Sequence, residues 1–217
     1  GAKVGLDMVV LADVSGSMGV DDLPPGAIEG RSLRAYASGS GNVKRIDALK
    51  EALTQMLDAR LRIAGRESRM ALLCFNDSVN QRFPRDGGMA VVDSQTDSRL
   101  IADFRAAIDS LSEYGSTAMS EAILRAAELL DSHGKDDNER LIVLVSDGKP
   151  FSVKGKDAIG EVVQLRNDEL NLVNHLFHTR GIRLQAIGIS DESLYHAWEQ
   201  RHSAPQHESL RPDHGLI

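Results

Sequence analysis

The chain has 217 residues and a formal net charge of −7. Its hydrophobic and charged contents, 41% and 26%, are ordinary for a globular protein, and no apolar run is long enough to cross a membrane. The acidic balance and the lack of a basic stripe interleaved with aromatic residues argue against a nucleic-acid-binding protein. The length allows one large α/β domain or one domain with appendages.

The first predicted element is a buried strand that leads into oxygen-bearing side chains. Residues 6–12 form an apolar run without polar alternation, which is typical of a strand covered on both faces. Asp13, Ser15 and Ser17 follow it, at the edge where open α/β sheets place their ligands. Carboxylate and hydroxyl oxygens suit Mg²⁺ or Mn²⁺ rather than zinc or copper. By itself, the same pattern is also typical of a turn that caps a helix.

The next segment, residues 20–43, is rich in Pro, Gly and Ser and has no apolar period. A loop this long in a compact domain is usually functional or mobile. It directly follows the loop that carries Asp13, Ser15 and Ser17, here called the acidic loop, so it could form a rim that selects partners. A disordered insertion is an equal alternative. We expect Asp21 and Asp22 to be a solvent-exposed pair rather than ligands.

Four segments with clear periodicity or turn chemistry come next. A helix is predicted over 44–61, and a hairpin is predicted from a strand at 68–75 and its antiparallel partner at 79–83. This hairpin would lie at one edge of the sheet. Residues 84–97 are predicted to be a second loop, and an amphipathic helix is predicted from Ile101 to Leu111.

In the central part of the chain, two more oxygen-bearing side chains stand at the end of a predicted strand or at the start of a predicted helix. Thr117 stands just before a helix predicted over 120–132. Asp147 leaves the buried strand predicted over 141–145, at the same kind of edge as Asp13. Each fragment alone is typical of an ordinary turn or helix start. Their occurrence together, in this order, indicates one shared site.

The rest of the chain supplies a long helix over 159–177 and a last strand over 182–189. In the polar tail that follows, Tyr195 and Trp198 could pack one short helix, and no convincing strand is predicted. The order of elements predicts a doubly wound sheet.

The pattern Asp13-x-Ser15-x-Ser17, Thr117 and Asp147 resembles the metal-ion-dependent adhesion site of the von Willebrand factor type A (vWA) domain. The resemblance implies a Rossmann-like α/β fold: a mostly parallel sheet with one antiparallel edge strand and helices on both faces. It implies that the Ser and Thr hydroxyls bind Mg²⁺ directly, with Mn²⁺ or Ca²⁺ as alternatives, and that the two Asp act through water. A carboxylate from a protein partner would complete the coordination.

The resemblance sets the domain boundaries at residues 1–190, with insertions at 20–43 and 84–97. Residues 191–217 would be a divergent or truncated final part. It implies a Mg²⁺-dependent protein-binding module and not an enzyme. The residues Ser146-Asp147-Gly148-Lys149-Pro150 are similar to bacterial intracellular members that act beside MoxR-type AAA+ ATPases or in cofactor-loading and metal-loading assemblies.

Two alternatives from other classes stay open. The first is the same module in an extracellular adhesin. The second is a metal-dependent phosphohydrolase, which would need a Gly-rich loop with Lys, or an acid two residues after a nucleophilic Asp. Ser15 stands at that second position after Asp13.

The single cysteine bears on localisation. Cys74 lies in an apolar run and is expected to be a buried thiol, which favours a reducing compartment and hence the cytoplasm. The sequence begins at Gly1 without an initiator methionine and shows no leader, so we expect a piece of a longer protein. An extracellular location therefore stays the alternative.

Overall fold

A six-stranded, mostly parallel sheet forms the centre of the protein. The computed structural model describes residues 5–24, 41–64, 67–148, 172, 174–202, 206 and 210–212. The strands are β1 (Leu6–Asp13), β2 (Arg69–Phe75), β3 (Val79–Phe83), β4 (Ala90–Val91), β5 (Glu139–Ser146) and β6 (Ile182–Gly188). The helices are α1 (Arg45–Arg60), α2 (Ser98–Asp109), α3 (Met119–His133), α4 (described over 174–180) and α5 (Glu192–Gln200), with a short 3₁₀ helix at Gly16–Gly19.

Strand β1 is central because it is apolar on both faces. It pairs in parallel with β2 on one side and with β5 on the other, and the sheet order is β3-β2-β1-β5-β6. The predicted hairpin is present, with β3 antiparallel to β2. The two-residue β4 adds a second antiparallel pairing with β2, inside the segment 84–97 that the sequence predicts to be a loop.

Alternating side chains of β1 enter two cores on opposite faces of the sheet. Val10 packs in the core that α1 and α2 cover, whereas Val9 and Leu11 pack in the core that α3 covers. Leu176 of α4 joins the second core. This two-sided burial is the doubly wound architecture that the sequence predicts, and Cys74 is a buried thiol as expected.

The tail after β6 contains the predicted short helix. Helix α5 buries Tyr195 and Trp198 against Val20, which follows the acidic loop. The bulk of the 20–43 insertion and most of the predicted 159–177 helix lie outside the described residues. Within the described residues, no helix is long and apolar enough to span a bilayer.

The order of the strands creates a crevice at one edge of the sheet. From β1 the chain crosses to β2 on one side, whereas β5 on the other side of β1 continues to β6. Adjacent parallel strands whose connections leave in opposite directions form a switch point, where open α/β sheets bind ligands. Asp13 ends β1 and Asp147 follows β5, so both carboxylates lie at this edge.

At the opposite end of β1, buried Asp7 joins three segments. Its Oδ1 accepts hydrogen bonds from the Asn138 side chain (3.0 Å) and the Arg69 backbone (3.3 Å), and its Oδ2 accepts one from the Lys135 backbone (2.5 Å). The substitution Asp7→Asn places an NH₂ group against these donors. We expect it to lower the free energy of unfolding by roughly 1–3 kcal/mol, measured by urea denaturation.

The control for this prediction is Asp58→Asn. Asp58 pairs with Arg105 at 2.8 Å on the surface, where an ion pair is worth less than about 1 kcal/mol. Equal losses in the two variants would contradict a joining role for Asp7.

Candidate metal site

The candidate site begins at Asp13, the last residue of β1. Its side chain is fully buried, because both neighbouring strands continue alongside it. Asp13 Oδ1 accepts hydrogen bonds from the backbone nitrogen (2.9 Å) and the hydroxyl (2.5 Å) of Ser15, and Oδ2 accepts one from the Ser146 hydroxyl (2.6 Å). Three donors therefore fix the carboxylate in one orientation.

Ser17 connects this loop to the end of β5. Its hydroxyl donates to Asp147 Oδ2 at 2.5 Å and lies 3.3 Å from the Ser15 hydroxyl oxygen. Asp13 with Ser15, and Asp147 with Ser17, thus form two hydrogen-bonded pairs whose hydroxyl oxygens face each other across the crevice. The sequence predicts that these four side chains meet, and they do.

Thr117, the fifth predicted residue, lies on the loop between α2 and α3 and is 2% exposed. Backbone hydrogen bonds attach this loop to the acidic loop: Gly16 N donates to Gly115 O (2.8 Å), and Tyr114 N donates to Val14 O (2.8 Å). Thr117 is therefore held beside the loop that carries Ser15 and Ser17.

Asp77, in the β2–β3 turn, supports the Thr117 loop from its other side. Its Oδ1 accepts hydrogen bonds from the backbone nitrogen of Ser116 (2.7 Å) and from the Ser116 hydroxyl. These bonds lower the pKa of the exposed Asp77 carboxyl. Gly115 has a φ of +80°, and a Cβ there would come within 2.9 Å of the Asp77 carboxylate, so a glycine is required. The sequence alone suggested only a tight turn at Asp77.

The buried position of Asp13 and the nearby Asp147 carboxylate disfavour the ionised form of Asp13. Burial, and next the nearby charge of Asp147, raise the pKa of Asp13 to about 7 from an ordinary 3.8, although the bonds from Ser146 and Ser15 oppose the shift. The register of β1 and β5 brings the two carboxylates together.

The prediction of a solvent-exposed Asp21–Asp22 pair is wrong. Asp22 is buried and receives two hydrogen bonds from Arg45, from Nε (3.0 Å) and from Nη2 (2.7 Å). Arg45 Nη1 also donates to Asp147 Oδ2 (3.1 Å). Asp21 accepts a hydrogen bond from the Trp198 indole (2.8 Å). Nothing in the spacing indicates these contacts, because Arg45 begins a helix whose other features are ordinary.

The donors present fit a small, hard cation. The hydroxyls of Ser15 and Ser17 each donate their proton to a carboxylate, which leaves oxygen lone pairs for an ion. Two oxygens bound side by side to Mg²⁺ at about 2.1 Å would be about 3.0 Å apart, close to the 3.3 Å between these two oxygens. In the part of the chain that the structure describes, no three His, Cys, Asp or Glu side chains cluster in a way that could hold a metal.

Comparison with known proteins gives one family. The family model described as von Willebrand factor type A domain matches residues 8–149, which include all five predicted site residues. No curated protein sequence matches the chain.

Several solved structures share the fold. The SpRpn10 VWA domain has a TM-score of 0.51 and 14% identity, with 91% of this chain and 95% of that chain covered. A von Willebrand factor type A protein from Catenulispora acidiphila has a TM-score of 0.53 and 16% identity, with coverages of 91% and 42%. Manganese-loaded TRAP protein from Plasmodium vivax has a TM-score of 0.50 and 18% identity, with coverages of 95% and 67%.

The raised pKa of Asp13 predicts an unusual pH dependence of stability. In the metal-free folded protein Asp13 holds its proton up to about pH 7, whereas in the unfolded chain it loses the proton near 3.8. The unfolded state therefore binds fewer protons between these values, and the free energy of unfolding should fall as pH rises from 5 to 7.5, by roughly 1.4 kcal/mol per unit of pKa difference at most. Denaturant titrations in chelator at each pH measure this slope.

The matched variant is Asp13→Asn, which keeps the shape and removes the charge. We expect the free energy of unfolding of this variant to depend less on pH between 5 and 7.5. Saturating Mg²⁺ should stabilise the wild-type protein most at high pH. Parallel profiles for the wild type and the variant would contradict the electrostatic account.

Proposed function

Because the chain belongs to the von Willebrand factor type A domain family, we propose that it is a protein-interaction module that binds a divalent cation, with Mg²⁺ as the preferred ion. The direct ligands would be the hydroxyls of Ser15, Ser17 and Thr117, with Asp13 and Asp147 behind them. The observation that carries the proposal is that two hydroxyl–carboxylate pairs, Ser15 with Asp13 and Ser17 with Asp147, meet at the switch point of the sheet with their hydroxyl oxygens 3.3 Å apart. The manganese-loaded state of the TRAP protein supports a divalent ion.

When bound, the ion would supply a Lewis-acidic position that a partner carboxylate can occupy. The protein's own contribution is to keep its negative charge off the ion. Neutral hydroxyls face the ion, while the carboxylates of Asp13 and Asp147 accept the hydroxyl protons. An ion held in this way keeps much of its positive charge and attracts an acidic residue of another protein.

The arrangement favours binding over catalysis. A hydrolytic enzyme needs a positioned general base beside the metal. Asp13 is fully buried and already accepts hydrogen bonds from Ser15 and Ser146, so it is poorly placed to take a proton from a substrate. We therefore expect no phosphatase turnover with Mg²⁺.

The proposed partner is a protein with an exposed acidic residue. A MoxR-type AAA+ ATPase in the cytoplasm follows only from the sequence around Asp147, and the extracellular adhesin remains the second setting. Capture experiments from both a cytoplasmic lysate and a surface fraction distinguish these settings.

Thr117→Ala is the most direct test of the site. It removes a proposed ligand without adding charge, so we expect loss of Mg²⁺-dependent partner capture and a Mg²⁺ affinity at least tenfold weaker, measured by calorimetry. The control is Thr54→Ala on α1, where the hydroxyl donates only to the Lys50 carbonyl (2.9 Å). Wild-type capture that persists in chelator would contradict the proposal.

Tyr114 is placed to touch the partner. It lies on the same loop as Thr117, three residues earlier, and it is 73% exposed in a chain with few aromatic residues. Exposed tyrosines beside a binding site often contribute strongly to affinity because they bury a large area at small entropic cost.

We expect Tyr114→Ala to weaken partner binding roughly tenfold while leaving Mg²⁺ affinity unchanged. The matched control is Phe177→Ala, an exposed aromatic on α4, just before the start of β6. Surface plasmon resonance with the captured partner measures both. Equal effects of the two substitutions would argue against a partner contact at Tyr114.

A further inference from the structure

A buried arginine stands directly behind the candidate metal site. Arg45, the first residue of α1, is fully buried, and its guanidinium contacts both the acidic loop and the residue after β5. We propose that Arg45 is a positioning residue: it holds Asp147 and the Ser17 loop in the metal-binding arrangement before the ion arrives. This inference rests on the proposed metal-binding function.

The contacts of Arg45 Nη1 join the two halves of the site. It donates to Asp147 Oδ2 (3.1 Å) and to the backbone carbonyl of Ser17 (3.2 Å). Ser17 in turn donates its hydroxyl to the same Asp147 oxygen (2.5 Å). One nitrogen thus fixes both the backbone of one predicted ligand and the carboxylate that orients its hydroxyl.

The remaining donors of Arg45 fix the guanidinium itself. Nε and Nη2 bind the two oxygens of Asp22 side by side, at 3.0 and 2.7 Å. Ser190, just after β6, donates to Asp22 Oδ2 (2.6 Å), so that the anchor is tied to the sheet. A planar fork held in this way leaves Nη1 no freedom to turn away from Asp147.

A third acceptor links the C-terminal segment to the same nitrogen. The backbone carbonyl of Leu210 accepts a hydrogen bond from Arg45 Nη1 at 2.6 Å. Arg45 therefore donates to four residues in three segments of the chain, and a lysine ammonium could not reach all of them from one point.

The charge of Arg45 also has a role in the absence of the ion. Asp13 and Asp147 are both buried and bind the hydroxyls of Ser15 and Ser17, whose oxygens are 3.3 Å apart, so the two carboxylate charges repel each other across the crevice. A fixed cation on the far side of Asp147 offsets this repulsion, so the loops can stay closed without metal. The same charge also repels an incoming Mg²⁺, which acts in the opposite direction on metal affinity. The two effects predict opposite changes in metal affinity when the arginine is altered.

Two variants leave the net charge of the site unchanged. They distinguish the effect of the hydrogen-bonding geometry of Arg45 from the effect of its positive charge. Arg45→Lys retains the positive charge but loses the fork. The double variant Arg45→Gln with Asp22→Asn removes one charge of each sign, so that Asp22 is not left as a buried charge without its arginine, and it serves if the single variant does not fold. We expect each to bind Mn²⁺, measured by electron paramagnetic resonance, and Mg²⁺, measured by calorimetry, about 10- to 100-fold more weakly than the wild type.

The control is Asp7→Asn, which disturbs a buried carboxylate six residues earlier on β1, roughly 20 Å away. It should lower stability with no change in Mn²⁺ affinity, which shows that instability alone does not weaken the site. Unchanged or tighter Mn²⁺ binding by the folded Arg45 variants would overturn the positioning role alone. A wild-type protein that binds neither ion would overturn the proposed function together with it.

Discussion

Two buried carboxylates on adjacent strands are the constraint on which the candidate site depends. The parallel register pairs Ala12 with Val145, so Asp13, one residue after Ala12, and Asp147, two residues after Val145, emerge at the same sheet edge. Like charges so close in a buried place are costly, and the raised pKa of Asp13 reflects that cost. Hydroxyl donors, a buried arginine and, as we propose, a divalent cation are the three means by which the protein offsets it.

The surrounding loops can be understood from this constraint. The Thr117 loop is attached to the acidic loop by backbone hydrogen bonds, and Asp77 holds it from the other side. The Arg45–Asp22 pair fixes the other side, with help from Ser190 after β6. A site held on both sides in this way can present hydroxyl oxygens to a cation with little rearrangement.

The local parts of this arrangement could be predicted from the sequence. Apolar runs set the strands, the Asn76-Asp77-Ser78 turn set the hairpin, and strand ends placed Asp13 and Asp147 at one edge. These predictions succeed because each depends on a short stretch of chain and on general rules of parallel sheets.

The long-range polar contacts could not be predicted. The Arg45 side chain meets partners 23 and 102 residues away, and Asp22 meets one 168 residues away. A charged residue at the start of a helix is usually solvated, and the hydrophobic periodicity of the helix does not indicate that Arg45 is buried. The short strand β4 was missed for a related reason, since two residues beside Gly87-Gly88 give no strand pattern and form one only by pairing with β2.

In the proposed site, hydroxyl oxygens from two separate loops hold one divalent ion. Anomalous diffraction from a crystal soaked in MnCl₂ tests it most directly. We predict one strong manganese peak at about 2.1–2.2 Å from the side-chain oxygens of Ser15, Ser17 and Thr117, with the Asp13 and Asp147 carboxylates farther away. A fully ordered site without such a peak, or manganese bound only elsewhere on the protein, would contradict the account.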